Sequence, residues 1–231
     1  MTIADQQVIV ALDFDNANSA LKLADQLDST QCKLKVGKEL FVAAGPQLVQ
    51  ALIDRNFDVF LDLKFHDIPN TVAKAVSSAA DLGLWMTNVH ASGGSRMMNA
   101  AAQAIEQHGS DMLLIAVTVL TSLDDTDLHQ VGIDRPAGQQ VVELAKLTQQ
   151  AGLDGVVCSA QEASELKRIL GDPFKLVTPG IRLSDSASDD QRRIVTPPRA
   201  IDMGSDYLVI GRPITQAQDP MQMLEKINRS L

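Results

Sequence analysis

Residues 58–71 read Asp58-Val59-Phe60-Leu61-Asp62-Leu63-Lys64-Phe65-His66-Asp67-Ile68-Pro69-Asn70-Thr71. The run from Val59 to Phe65 is apolar and β-prone except at Asp62 and Lys64, the composition of a strand buried on both faces. Pro69 suits the first turn of a helix, and apolar residues then recur at spacings of three and four over 71–82. This is one strand–helix unit. The same unit recurs on both sides of it. Strand-like runs begin near Gln7 (QVIVALD), Cys32 (CKLKVG), Trp85 (WMTNVHA), Asp111 (DMLLIAVTVL), Asp154 (DGVVCSA), Phe174 (FKLVTPG) and Asp206 (DYLVIG), the first five starts lying about 26 residues apart. Helical patterns cover 18–27, 46–53, 95–108, 139–151, 161–170 and 220–231. Near-continuous apolar strands imply a parallel sheet covered by helices. Eight such units without a Ser/Gly/Pro-rich linker predict an α/β fold, a single (β/α)8 TIM barrel occupying 1–231 as one domain; a doubly wound open sheet is the rival architecture. Two polar stretches, 121–137 after the fifth strand and 180–198 after the seventh, interrupt the rhythm and read as active-site loops.

Composition agrees with that architecture. At about 150 residues per domain the 231-residue chain falls between one and two domains, and barrels of 200–250 residues fill that gap. Aromatic residues make up only 3%, so the core is aliphatic. The net charge of −9 argues against a nucleic-acid partner. No apolar run approaches the roughly 18 residues of a membrane span. The start Met1-Thr2-Ile3-Ala4-Asp5 lacks the basic-then-apolar order of a secretory signal, and a cytoplasmic location is expected. Cys32 and Cys158 stand far apart and read as reduced, buried strand residues.

In a parallel barrel, chemistry collects at the carboxyl ends of the strands. That rule selects Asp13, Lys35, Asp62, Lys64, Thr121, Arg182, Gly211 and Arg212. Asp62 and Lys64 are two apart on one strand, so both are expected to face the barrel interior while Leu61 and Leu63 face the helices. Lys35 on the neighbouring strand adds a second cation, and Asp67 follows three residues after Lys64. A structural salt bridge, with Asp67 at the helix start, is one meaning of this cluster; four charges at two adjacent strand ends favour function. Gly211-Arg212 after the eighth strand and Thr178-Pro179-Gly180-Ile181-Arg182 after the seventh suit an anion, the usual phosphate position of such barrels.

Other features carry less. Ser92-Gly93-Gly94 reads as a tight turn. His66, His90, His108 and His129 lack metal-ligand spacing, Met97, Met98, Met221 and Met223 read as packing, and Asp124-Asp125-Thr126-Asp127 reads as an acidic helix start. No GxxxxGK followed by Ser or Thr, and no GxGxxG, follows a strand, so nucleoside triphosphate and dinucleotide cofactors lack support.

The stretch Phe60 to Thr71 resembles the signature of the orotidine 5′-phosphate decarboxylase family, Asp-x-Lys-x-x-Asp-Ile-x-x-Thr. Similarity extends along the chain through Ala11-Leu12-Asp13, Lys35-Val36-Gly37, Val117 to Ser122, Thr178 to Arg182, Gln191-Arg192-Arg193 and Gly211-Arg212-Pro213, in the compact bacterial form of the family. The resemblance implies a homodimer, free of cofactor and metal, that completes de novo synthesis of uridine monophosphate. It implies a charge array of Lys35, Asp62, Lys64 and a second subunit's Asp67, with Lys64 protonating C6 of the pyrimidine. It further implies that Asp13 and Lys35, with Asp67, Ile68 and Thr71 from across the interface, hold the ribose. Thr121 would meet the pyrimidine amide edge. Pro179, Arg182 and Gln191 would belong to a closing loop, and Gln191, Gly211 and Arg212 would grip the phosphate.

Such chemistry needs these residue types. Loss of CO2 from C6 leaves an electron pair in the ring plane that the π-system cannot delocalise, so fixed charge must stabilise it. Carboxylates beside an ammonium favour its charged, proton-donating form. Two alternatives share parts of the pattern. Sugar-phosphate barrels such as 3-keto-L-gulonate 6-phosphate decarboxylase and hexulose phosphate synthase also carry Asp-x-Lys-x-x-Asp but resemble each other in using Mg2+ with a strand-2 Glu, where this chain has Lys35. A non-catalytic nucleotide-binding barrel would keep the phosphate grip alone.

Overall fold

The computed structural model describes residues 6–182 and 195–231. Along the chain run β1 (Val8–Leu12), α1 (Ala17–Ala24), β2 (Lys33–Gly37), α2 (Lys38–Ile53), β3 (Val59–Phe65), α3 (Pro69–Ala80), β4 (Met86–His90) and α4 (Gly94–His108). They are followed by β5 (Leu113–Val117), α5 (Asp125–Gln130), α6 (Ala137–Gln150), β6 (Gly155–Val157), α7 (Ala160–Leu170), β7 (Lys175–Thr178), α8 (Pro197–Asp202), β8 (Tyr207–Ile210), α9 (Arg212–Thr215) and α10 (Pro220–Asn228). Eight strands pair in chain order, all parallel, and β8 closes on β1, so the sheet is a closed barrel and the open doubly wound alternative is excluded.

The strands are apolar on both faces because two separate layers need them. Inside the barrel, Ile9, Phe60, Met86, Ile115, Val177 and Tyr207 form one cluster. Outside it, Leu12, Leu34, Leu61 and Leu114 pack under the helices with residues such as Leu52, Val76 and Leu166. Each large side chain so buried contributes roughly 1.5–3 kcal/mol. Side chains pack across the amino-terminal end of the barrel. Lys33 is buried there, its ammonium 2.8 Å from Asp58 and 4.4 Å from the Trp85 ring centre, while Trp85 packs edge-on against Tyr207. Among the described residues, the cavity that reaches the inward-facing strand side chains opens at the carboxyl-terminal mouth.

Local chemistry sets the helices. Asp124 accepts from the amides of Thr126 and Asp127, and the Asp127 carboxylate accepts from Asp124 N–H at 3.0 Å. The acidic run is thus a capping box at the start of α5, inside the stretch 121–137 expected to be a loop. α2 begins at Lys38, ahead of the expected 46–53. It bends at Gly45 (φ +69°), and its first half buries only Leu40 while Val42 is 85% exposed, so no apolar stripe marks it. α8 and α9 span six and four residues, too short for a periodic signal. Cys32 and Cys158 are buried and unpaired, and burial pushes the Cys32 thiol up to about 12. Among the described residues no helix is long and apolar enough to cross a membrane.

Candidate active site

A cavity of about 280 Å³ opens at the carboxyl-terminal mouth. Its apolar floor is Phe60, Val117, Val157, Val177 and Val209. Its rim gathers Asp13, Lys35, Asp62 and Lys64 from the β1–β3 side, Thr121 after β5, Pro179 and Arg182 after β7, and Gly211 and Arg212 after β8. Nine of the residues selected from sequence therefore surround one space. Four basic groups, Lys35, Lys64, Arg182 and Arg212, lie on this rim.

Asp62 is the hub. It is 8% exposed, and its two oxygens divide between two ammoniums: Oδ1 lies 2.5 Å from Lys64 Nζ, and Oδ2 lies 3.4 Å from Lys35 Nζ. Lys35 Nζ also lies 3.4 Å from Asp13 Oδ1. Burial raises the affinity of the Asp62 carboxyl for a proton. The Lys35 and Lys64 charges, with hydrogen bonds from Lys64 and Asn88, outweigh burial and hold the group below the ordinary carboxylate range. The result is an anion fixed between two cations beside an apolar floor.

The route by which Lys64 reaches this place differs from simple alternation. β3 pairs with β4 as Phe60↔Met86 and Leu61↔Thr87, then resumes at Phe65↔Val89. Four residues of β3 advance against two of β4, a bulge of two residues. Lys64 takes the left-handed conformation (φ +54°), so it is not simply the next inward residue of a flat strand. Leu61 faces the helical layer and Leu63 packs against it, as alternation predicts. The bulge re-aims the lysine, and its ammonium meets Asp62 across the bend.

The interface residues behave differently. Asp67, Ile68 and Thr71 are exposed, Ile68 by 67%. Asp67 accepts from the amide of Ile68 at 2.6 Å, and among the described residues no ion pair joins it to Lys64. It does not cap α3 either, because Ile68 occupies the N-cap position without a side-chain bond. Within one chain the expected array is thus Lys35, Asp62 and Lys64. Gln191 lies outside the described residues. The ends of the 180–198 stretch are joined where Ile181 bridges Val195, the Arg182 amide donating to the Val195 carbonyl at 3.1 Å.

Sequence reasoning passed over Asn88, which is fully buried on β4 beside the bulge. A signal existed: it is the polar residue between inward-facing Met86 and His90. The His90 ring lies 5.5 Å from that of His66, and burial, then His66 and nearby lysines, lower its proton affinity, with Asp62 opposing. Gly93 is more than a turn: a Cβ there would stand 2.1 Å from Met97 Sδ. A larger hollow of about 590 Å³ lies against the amino-terminal ends of β5 and β6, but its described lining carries Glu106, Asp111 and Asp154 and no basic residue. The smaller cavity holds the ion cluster.

A closed parallel barrel with a preorganised ion cluster at its carboxyl-terminal mouth is the arrangement of a (β/α)8-barrel enzyme. Residues 6–227 match the model of the orotidine 5′-phosphate decarboxylase / HUMPS family. The chain belongs to that family. It is 62% identical over 228 residues to an orotidine 5′-phosphate decarboxylase of Shewanella sediminis, covering 98% of this chain and 97% of the relative. It is 61% identical to the protein of that name from Vibrio campbellii, covering 98% of each. The crystal structure of orotidine 5′-phosphate decarboxylase from Lactobacillus acidophilus superimposes with a TM-score of 0.88 at 40% identity, covering 98% of this chain and 99% of that one.

Proposed function

We propose that this enzyme is a carboxy-lyase that converts orotidine 5′-phosphate to uridine monophosphate and CO2, the last step of de novo synthesis of that nucleotide. The observation that carries the proposal is Asp62, held between Lys64 at 2.5 Å and Lys35 at 3.4 Å in a cavity whose far rim bears Arg182 and Arg212. One end of the cavity suits a phosphate and the other suits a reacting carboxylate. The C6–carboxylate bond breaks, CO2 leaves, and the electron pair stays on C6 in the ring plane. Lys64 Nζ stabilises that pair by its charge and then gives it a proton, and water restores the proton to the lysine. Asp62 faces the departing carboxylate and orders both lysines.

Around that step, Asp13 and Lys35 hold the ribose hydroxyls and Thr121 takes the amide edge of the pyrimidine. Gly211 and Arg212, with Gln191, bind the phosphate. Pro179, Arg182 and Gln191 close over it, so that binding far from C6 contributes to the chemical step. The exposure of Asp67, Ile68 and Thr71 supports a homodimer in which these residues enter a second copy's site. Lys35 also argues against the Mg2+-dependent sugar-phosphate reaction. Its ammonium lies within 3.4 Å of both Asp13 and Asp62, and it would repel a dication at those carboxylates.

The test is the ultraviolet absorbance of orotidine 5′-phosphate incubated with purified protein and excess chelator. A steady change to the spectrum of uridine monophosphate is expected. An unchanged spectrum overturns the proposal, and activity that returns only with Mg2+ favours the sugar-phosphate barrels.

A further inference from the structure

The bulge in β3 leaves an unusual requirement. Lys64 carries a Cβ in the left-handed region (φ +54°), which is unfavourable for such a residue and persists where its surroundings hold it. The amide of Lys64 has also lost its ladder partner on β4, because the pairing skips from Leu61↔Thr87 to Phe65↔Val89. Asn88 meets both requirements. Its Oδ1 accepts from Lys64 N–H at 2.7 Å, and its Nδ2 donates to Asp62 Oδ1 at 2.7 Å. The same Asp62 oxygen receives the Lys64 ammonium at 2.5 Å. The orientation of the carboxamide is fixed by its partners, since a backbone amide only donates and a carboxylate only accepts. An ionised Asp could not donate to Asp62, an aliphatic residue could do neither, and Gln is one methylene longer.

We propose that Asn88 is a positioning residue for the decarboxylation: one buried carboxamide locks the Lys64 backbone in its bent form and turns Asp62 so that the Lys64 ammonium is aimed into the cavity. This rests on the function proposed above. Asn88 does not line the cavity, so it acts on the reaction through Lys64 and Asp62 alone. Its loss should therefore fall on kcat and leave nucleotide binding nearly untouched. Misplacement of a reacting group by about 1 Å can cost about 100-fold in rate.

Asn88→Asp separates positioning from packing. The introduced carboxylate still accepts from Lys64 N–H, but it stands 2.7 Å from an Asp62 oxygen. Two carboxyls so close cannot both ionise readily and share a proton. With that proton the introduced carboxyl donates to Asp62 as the amide did; without it the pair repels. Activity relative to wild type should thus be highest at acid pH and fall as pH rises. The groups facing this position are Asp62 and Lys64 from β3, Lys35 of β2 against Asp62, and His90 two residues along β4 with His66 beside it. The β5 register partner, Ile115, has no titrating group. The histidines titrate in both proteins, so dividing the variant profile by the wild-type profile removes their effect.

The experiment measures kcat and KM for orotidine 5′-phosphate, and the dissociation constant of uridine monophosphate, for wild type, Asn88→Ala and Asn88→Asp across pH. Support is a folded Asn88→Ala with kcat down about 100-fold and nucleotide affinity within a few-fold of wild type. It also requires an Asn88→Asp/wild-type ratio that falls with pH. A folded Asn88→Ala with near-normal kcat overturns the proposal, as does a pH-independent Asn88→Asp ratio. If Asn88→Ala does not fold, the near-isosteric Asn88→Asp decides by its ratio. If wild type leaves the substrate unchanged, the functional proposal fails and this one falls with it.

Discussion

Replacing Asp62 by Asn keeps its shape and removes the charge between two ammoniums. At an effective dielectric near 20, a unit pair at the 3.4 Å of Lys35 attracts by ~5 kcal/mol and one at the 2.5 Å of Lys64 by ~7 kcal/mol. Desolvation of the buried ions cancels several kcal/mol of this, and breaking such a cluster from one side costs roughly 3–5 kcal/mol. For a chain of this size that lowers Tm by roughly 6–20 °C. The pH dependence follows from the direction of the shift. The folded Asp62 carboxyl lies below its ordinary 3.8, so its contribution is complete above that value and is lost as pH falls through the lower folded value. Urea unfolding of wild type and Asp62→Asn should therefore show a constant gap from neutrality to about pH 4, closing in stronger acid. Equal stability at neutral pH, or a gap that survives full protonation, would refute the assignment of Asp62 as the stabilising hub.

Two further outcomes are expected. Arg212→Ala removes a guanidinium from the cavity rim, and loss of a charge-assisted hydrogen bond worth about 1.5–3 kcal/mol should lower kcat/KM by roughly 10–150-fold in steady-state assays; an unchanged value would take Arg212 out of phosphate binding. Inactive Asp13→Ala and Asp67→Ala proteins, mixed under conditions where subunits exchange, should recover part of the wild-type activity because one hybrid site has both carboxylates; exchange without recovery would contradict a shared site.

The barrel is legible in sequence because each strand is apolar on both faces, and runs such as Val8 to Leu12 leave little else for a short segment to be. The candidate site is legible because charged residues interrupt those apolar runs: Lys35 and Asp62 stand among buried strand neighbours, and Lys64 follows among half-buried ones. What stays hidden depends on contacts across the fold. The bulge at Lys64 exists only relative to the register of β4, and no periodicity within β3 announces it. Asn88 acts on Lys64 and Asp62 across 24 and 26 positions of sequence, and its partners appear only when β3 and β4 lie side by side. The first half of α2 escaped because it exposes Val42 and buries Leu40 alone, so packing leaves no stripe to read.

The central claim is that Lys64 supplies the proton that replaces CO2 at C6. The most direct measurement sets Lys64→Ala beside wild type with orotidine 5′-phosphate in D2O, following absorbance, the deuterium at C6 of the product, and the affinity for uridine monophosphate. Wild type should form product labelled at C6, while Lys64→Ala should bind the nucleotide and turn over at least about 100-fold more slowly. Near-normal turnover by Lys64→Ala, with the same labelled product, would contradict the account.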